Sequence, residues 1–511
     1  STSMSLIQLI VDGLLAILLI ALGAVIFIKH RYGYWRRRGV SYLQPEFPFG
    51  NFKEMGKSIH PAHLTQQIYT QFKGRSPFVG LYIFLNPVLL VTDLSLIKRI
   101  LIKDFNHFPN RGVYFNERDD PLSAHLFSLE GRKWRDLRAK ISPTFSSGRI
   151  RMTFPAVLEV AQRFCTYLEQ SCVGKDAAEI RDAMARFTTD VIGSCAFGIE
   201  CNSFEEPDNE FHRVGRKHFD TPRNHPLKVF VMKTFPELAN GLGMKLIHDD
   251  VAEFFLDVIR RTISHREENN VSRNDFLDLL IKLKNTGRLE ADGGDIGQLS
   301  FSEIAAQAFI FFTAGFETSS SALTYTLYEL ALNPVIQEAA RASVFETLDK
   351  FNGEFSYECF QAMTYLDQCI YETLRKYPPV VNLERTVDKD YLVEESNLIL
   401  PKGLKIMIPA FAIQHDPDFY PNPERYDPTR FSPDQQAARD QCTFLPFGEG
   451  PRICIGLRFG MLQTRVGLAM ILKNFRILRC EKTENPVVYS TRAFVLTPIN
   501  GMWLKLEKLS K

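Results

Sequence analysis

The residues best suited to chemistry lie near the C-terminus, in Phe447-Gly-Glu-Gly450-Pro-Arg452-Ile-Cys454-Ile-Gly456, followed by a helical pattern that runs to Phe475. Two glycines and a proline ahead of Cys454 force a tight loop whose backbone N–H groups can point at the sulfur. A helix begins just after the cysteine, and its positive dipole end favours thiolate over thiol. Arg452 adds local positive charge. A single cysteine in such a pocket suits one thiolate–metal bond. The other eight cysteines (165, 172, 195, 201, 359, 369, 442 and 480) read as inert core thiols. No C-x-x-C pair occurs among them, which argues against a zinc finger or ribbon, and an odd total rules out a complete disulfide framework.

The loop resembles the haem-binding loop of the cytochrome P-450 family, the haem-thiolate monooxygenases, at all five positions: Phe447, Gly450, Arg452, Cys454 and Gly456. Further elements agree in the family's order. Trp134-x-x-x-Arg138 matches a motif whose side chains reach a haem propionate. Ala314-Gly315-Phe-Glu317-Thr318 matches the oxygen-activation motif. Glu372-x-x-Arg375 matches E-x-x-R; on a helix, residues three apart share a face and can form an ion pair. Pro423-Glu-Arg425-Tyr resembles the segment whose arginine joins that pair.

The resemblance implies haem b (iron protoporphyrin IX), with Cys454 as the metal ligand. It implies that Trp134, Arg138, Arg385 and Arg452, with Arg111, face the propionates. Gly315 and Ala314 leave room for dioxygen, Thr318 donates a hydrogen bond toward it, and Glu317 relays protons. Glu372, Arg375 and Arg425 are structural. The substrate cavity would be lined by Phe115, Leu122, Phe127, Phe219, Phe309, Phe312, Val381 and Phe494, an apolar set suited to a lipophilic substrate. The stretch from His225 to Leu238 falls where the family has a lid, and its apolar residues could dip into a membrane. No flavin or nicotinamide motif is visible, so electrons would come from NADPH through a separate NADPH–cytochrome reductase, with cytochrome b5 as a possible second donor. Arg132, Lys133, Arg135 and Lys140 offer a basic docking face. The implied reaction inserts one oxygen atom into a lipophilic molecule, foremost a foreign chemical, as in insect members of the family. An endogenous steroid or fatty-acid hydroxylase, or a haem-thiolate isomerase or peroxygenase needing no reductase, stands as the alternative.

These groups need elements to hold them. Ser300-Phe-Ser-Glu303 fits a capping box, and the apolar run beyond it continues to Asn333-Pro334, where proline stops it. A helix that long, apolar nearly all round, belongs in the middle of a large protein. Two short strands are expected between Pro77 and Thr92, and a hairpin-like feature between Tyr391 and Ile413. The expected fold is mainly α with a minor β part, in one large haem domain over residues 52–511.

The N-terminus is not part of that domain. Leu6 to Ile28 gives 23 residues, sixteen of them Leu, Ile, Val or Phe. As a helix it is about 34 Å long, enough to span a bilayer core of about 30 Å. Asp12 costs about 3 kcal/mol at most, which those apolar residues outweigh. Lys29 to Arg38 follows with five Lys or Arg and no acid. The positive-inside rule then keeps the rest of the chain cytosolic, on the endoplasmic reticulum membrane. The reading is an expression scar (1–3), a transmembrane anchor (4–28), and a basic, proline-containing hinge (29–51). Within the 511 residues, 61 Lys and Arg against 59 Asp and Glu leave a net charge of +2, with no basic excess to attract nucleic acid.

Overall fold

The computed structural model describes residues 2–54, 57–206, 208–273, 275–287, 297–491, 493 and 495–509, with backbone alone for 2–7. Helix α1 (Thr2–Tyr32) is continuous, and its apolar side chains from Leu9 to Phe27 stand exposed. The stretch Gln8–Tyr32 is long and apolar enough to cross a membrane. Nothing at Ile28 stops the helix, so it continues through Lys29 and Arg31, whose charges complement the helix C-terminus. The following segment is built into the domain. Trp35 is fully buried and donates from Nε1 to the Leu81 carbonyl at 2.9 Å. A Cβ at Gly80 would run into the Trp35 ring, so glycine lets the strand lie against it.

A four-stranded sheet forms one side of the molecule. Strands β1 (Phe78–Ile83) and β2 (Asn86–Val91) pair as an antiparallel hairpin. The turn is Phe84-Leu85, between the paired Ile83 and Asn86, with Phe84 at φ +53°. Strand β3 (Leu383–Thr386) pairs antiparallel with β4 (Lys405–Ile408), and β4 lies parallel to β2. The order is β1-β2-β4-β3.

The rest is mainly helical. The helices that matter for the site are α2 (Pro61–Phe72), α3 (Gly131–Ile141), α4 (Ile180–Ile192), α5 (Glu210–Asp220) and α6 (Pro226–Thr234). With them are α7 (Phe301–Leu332), α8 (Thr364–Lys376) and α9 (Leu457–Asn474). The α7 capping box is formed: Ser300 Oγ accepts from Glu303 N at 3.2 Å, and Glu303 Oε2 from Ser300 N at 2.8 Å. Helix α7 runs through the centre and joins two cores. Its second half packs Leu323 and Leu327 with Phe187, Ile370 and Val466 from α4, α8 and α9. Its first half packs Phe309, Phe312 and Phe316 against Phe255 and Val251. Each such buried side chain contributes about 1.5–3 kcal/mol, so α7 is held by burial over most of its surface.

On α8, Glu372 and Arg375 are completely buried and bonded at 2.7 and 2.9 Å. Arg375 also donates to the Gln414 and Pro423 carbonyls at 2.9 and 2.7 Å. The second arginine on Glu372 is Arg430, at 3.4 Å, and not Arg425. Arg425 is exposed. The Pro421–Phe431 segment passes Glu372 through the Asp427 N–H, at 3.0 Å, and it is Arg430 that follows on the inner side.

Candidate functional site

The Cys454 loop is shaped by backbone constraints. Gly450 has φ +72°, and a Cβ there would strike the Leu101 carbonyl. The Cys454 N–H donates to the Phe447 carbonyl at 2.9 Å, which closes the loop, and Gly456 caps the start of α9. Cys454 is exposed, but only to an internal cavity of about 1300 Å³. Burial pushes its thiol above the usual value. The Gly456 N–H, Arg111 and Arg138 all pull it back toward thiolate.

Ala314, Gly315 and Thr318 of α7 line the same cavity, as do Arg111, Arg138, Arg385, Arg452, Trp134, Phe447 and Gly456. The four arginines have no carboxylate within ion-pair distance among the described residues. Arg452 donates to the carbonyls of Pro109 at 2.7 Å, Leu126 at 3.3 Å and Leu129 at 2.8 Å, and lies 3.7 Å from the Trp134 ring centroid. Arg111 donates to the Phe127 and Arg452 carbonyls, both at 3.1 Å. Arg385 reaches only the Glu384 carbonyl, at 2.8 Å, and its Nε is buried without a partner. Desolvation, then mutual repulsion, pushes Arg452 down to about 8 and Arg111 to about 9. Burial pushes Arg385 to about 10. Glu130 acts on Arg452 only through space, its carboxylate accepting the Gly112 N–H at 3.1 Å. Buried cations without counter-charge are costly, so this wall is built for an anion.

Glu317 and Thr318 are separated. Adjacent helical residues point about 100° apart. Thr318 faces the cavity, its hydroxyl donating to the Ala314 carbonyl at 2.7 Å. Glu317 does not line the cavity. It is buried against α4, bonded to Arg181 at 2.9 Å, and Arg181 also holds Asp220 of α5 at 3.1 Å. Burial raises the Glu317 carboxyl against the pull of Arg181, and its Oε2 has no partner. Gly315 also differs from expectation. The space a Cβ would occupy belongs to Ile192 of α4, so the missing side chain serves helix packing.

Of the expected substrate residues, Phe127 and Val381 line the cavity. Phe309, Phe312 and Leu122 are core instead, with Phe115 and Phe219 packed against them. Phe494 lies outside the described residues. Ile310 and Phe311 of α7 also line the cavity and were legible from helix geometry. Ile310, Ala314 and Thr318 follow at four-residue steps on one face, whereas Phe309 and Phe312 project about 140–160° away from Ala314.

A haem fits this set. It is apolar and flat, carries two anionic propionates, and needs one protein ligand on its iron. The cavity offers apolar walls, the Cys454 thiol and these four arginines; Cys195 and Arg149 also line it, the Cys195 thiol being turned to the Thr153 carbonyl. Among the described residues there is no cluster of three or more His, Cys, Asp or Glu able to bind a bare metal ion. The cytochrome P450 family model matches residues 42–504. The chain belongs to the cytochrome P450 family. Its relatives include cytochrome P450 6A1 of Musca domestica, 43% identical over 97% of this chain and 98% of the relative. Cytochrome P450 6a8 and 6a2 of Drosophila melanogaster are each 44% identical, over 94% and 96% of this chain and 96% and 99% of their own. Members are haem-thiolate monooxygenases that take electrons from a redox partner.

Proposed function

We propose that this P450 is a membrane-anchored, NADPH- and O2-dependent monooxygenase of lipophilic small molecules, foremost foreign chemicals, with haem iron held by Cys454. One observation carries the reading: Cys454 shares the wall of one large, mostly apolar cavity with Arg111, Arg138, Arg385 and Arg452, none of which has a carboxylate within ion-pair distance among the described residues. Cys454 would hold the iron as thiolate, and Arg111, Arg138, Arg385 and Arg452 would hold the propionates, with Trp134 packed beneath Arg452. Phe447, Gly450 and Gly456 shape the loop. Haem supplies dioxygen activation when bound, favoured by the electron push of a thiolate ligand.

The chain's own groups position and protonate. Ala314 keeps the cavity open above the cysteine loop. The Thr318 hydroxyl, turned from the Ala314 carbonyl, presents a proton to the cavity. Glu317 contributes as a reservoir behind it, linked through Arg181 to Asp220 and Arg216, which are in turn paired at 3.1 Å. Apolar walls admit a lipophilic substrate and exclude water.

NADPH–cytochrome reductase would supply electrons, with cytochrome b5 as a second donor. The exposed Arg132, Lys133 and Arg135 on α3, with Lys140, form the docking face. Arg132 and Lys133 are already paired with Asp136 and Glu117, so a partner must displace acids of the chain itself. The anchor (4–28) and basic segment (29–51) would hold the catalytic domain (52–511) on the cytosolic face of the endoplasmic reticulum membrane. Leu227, Leu238 and Leu242 are exposed while Val229 and Met232 of α6 line the cavity, so this lid meets both membrane and substrate. The test is turnover of a panel of lipophilic compounds by purified protein with reductase and NADPH. Product formation should require NADPH, and Thr318→Ala should divert electrons to peroxide. Turnover without NADPH, or unchanged coupling in that variant, contradicts the reading.

A further inference from the structure

The turn of the β1–β2 hairpin joins the membrane anchor to the lid of the cavity. Asn86, the first residue of β2, uses its side chain away from its own turn. Its Oδ1 accepts from Arg31 Nη2, in the last turn of α1, at 3.0 Å, and its Nδ2 donates to the Lys233 carbonyl of α6 at 2.7 Å. Arg31 Nε also donates to the Leu85 carbonyl at 3.2 Å. The Lys233 carbonyl lies in the last turn of α6, where helix carbonyls lack intrahelical donors. Beside this bond, Phe84 holds φ +53°, a conformation that tight hairpin turns usually give to asparagine or glycine. Its ring lies edge-on to Phe230 of α6, with centroids 5.3 Å apart. Phe84 lines the cavity together with Val229, Met232 and Lys233 of α6.

Turn formation explains neither residue. Glycine would relieve the strain at Phe84, and an asparagine in a turn ordinarily bonds the backbone beside it. A guanidinium only donates and a carbonyl only accepts, so a carboxamide can meet both at once whereas a carboxylate cannot. We propose that Asn86 is a positioning residue that clamps the lid helix α6 to the end of the anchor helix α1, and that opening of its bond to Lys233 admits the lipophilic substrate. The inference rests on the proposed reading of α6 as the lid of a substrate cavity. It makes the anchor a part of the entry gate as well as a tether.

The test uses the full-length, haem-loaded protein in phosphatidylcholine vesicles, with 1-benzylimidazole as the probe, because its ring nitrogen shifts the haem spectrum on arrival. Stopped-flow mixing gives its association and dissociation rates, and hydrogen exchange reports the opening of α6. The clamp holds the lid shut in both the free and the bound protein. Asn86→Ala should therefore raise both rates about fivefold, the worth of one neutral hydrogen bond, and leave the dissociation constant and the haem spectrum unchanged. Asn86→Asp keeps the contact with Arg31 but cannot donate to Lys233, and should match Asn86→Ala. Arg31→Leu should quicken entry by itself and add little in the Asn86→Ala background, because it acts through Asn86. Exchange over residues 226–235 should quicken in step with the rates. Wild-type rates and exchange in Asn86→Asp, or fully additive effects of the Arg31 and Asn86 variants, overturn the clamp. Faster exchange in the variants with no probe binding to any form supports the clamp and overturns the substrate-cavity reading instead.

Discussion

Two groups of buried arginines divide the molecule. Arg375 and Arg430 stand on Glu372, and the remaining donors of Arg375 reach backbone carbonyls. Arg111, Arg138, Arg385 and Arg452 line the cavity, and among the described residues none of them has an acid within ion-pair distance. The first group is complete within the chain and holds the α8 region to the loop carrying Asp427. The second, on the proposed reading, is completed by the haem propionates. The same residue type therefore serves the fold in one place and the ligand in the other, and the presence of a buried carboxylate decides which.

The difference can be broken from either side. Removing the one acid of the paired group has the largest effect. Glu372→Gln leaves two buried guanidiniums uncompensated and should cost about 3–5 kcal/mol, read as loss of folded protein in expression and thermal melts. Arg385→Leu should act on the other group without unfolding it, because among the described residues its guanidinium donates to the neighbouring Glu384 carbonyl alone. Folded yield should hold while haem passes to an external acceptor protein about 10–100-fold faster, the worth of one charge-assisted contact. A loss of fold in this variant equal to that of Glu372→Gln would erase the distinction.

A smaller contrast lies within one segment. Arg430→Ala should destabilise by about 1–2 kcal/mol, whereas Arg425→Ala should stay within about 0.5 kcal/mol. Parallel urea titrations distinguish them, and equal effects would return Arg425 to the core. The last effect is on pH. His415 stacks on Phe411 with centroids 4.0 Å apart, and its Nδ1 lies 2.8 Å from the Phe411 carbonyl. Burial, then Arg375, pushes it from 6.5 down to about 3. The unfolded imidazole takes a proton near 6.5 and the folded one does not until about 3. The ring's contribution is thus full above 6.5 and is lost progressively as pH falls toward 3. His415→Phe should flatten that part of the stability–pH curve.

Sequence legibility followed the range of each interaction. The cysteine loop, the α7 capping box and the Glu372–Arg375 pair are set by neighbours within about ten residues, and their residue types alone predict them. Arg430 was missed because its partner lies across the fold, and it stands five positions beyond the arginine that the motif favoured. The phenylalanines of α7 were assigned to the cavity by type, although the helical period from Ala314 already turns Phe309 and Phe312 away. Glu317 likewise carried the right chemistry on a face that only Arg181 of α4 could reveal. Gly315 shows the same limit: its lack of a side chain was evident, but what fills the space was not.

The central claim is that Cys454 binds haem iron as thiolate. Its most direct test is the absorption spectrum of the reduced, carbon monoxide-treated protein, compared between wild type and Cys454→Ser. The wild type should show the long-wavelength band that gives the family its name, and the variant should lack it. A wild type without that band, or a variant that keeps it, would contradict the assignment.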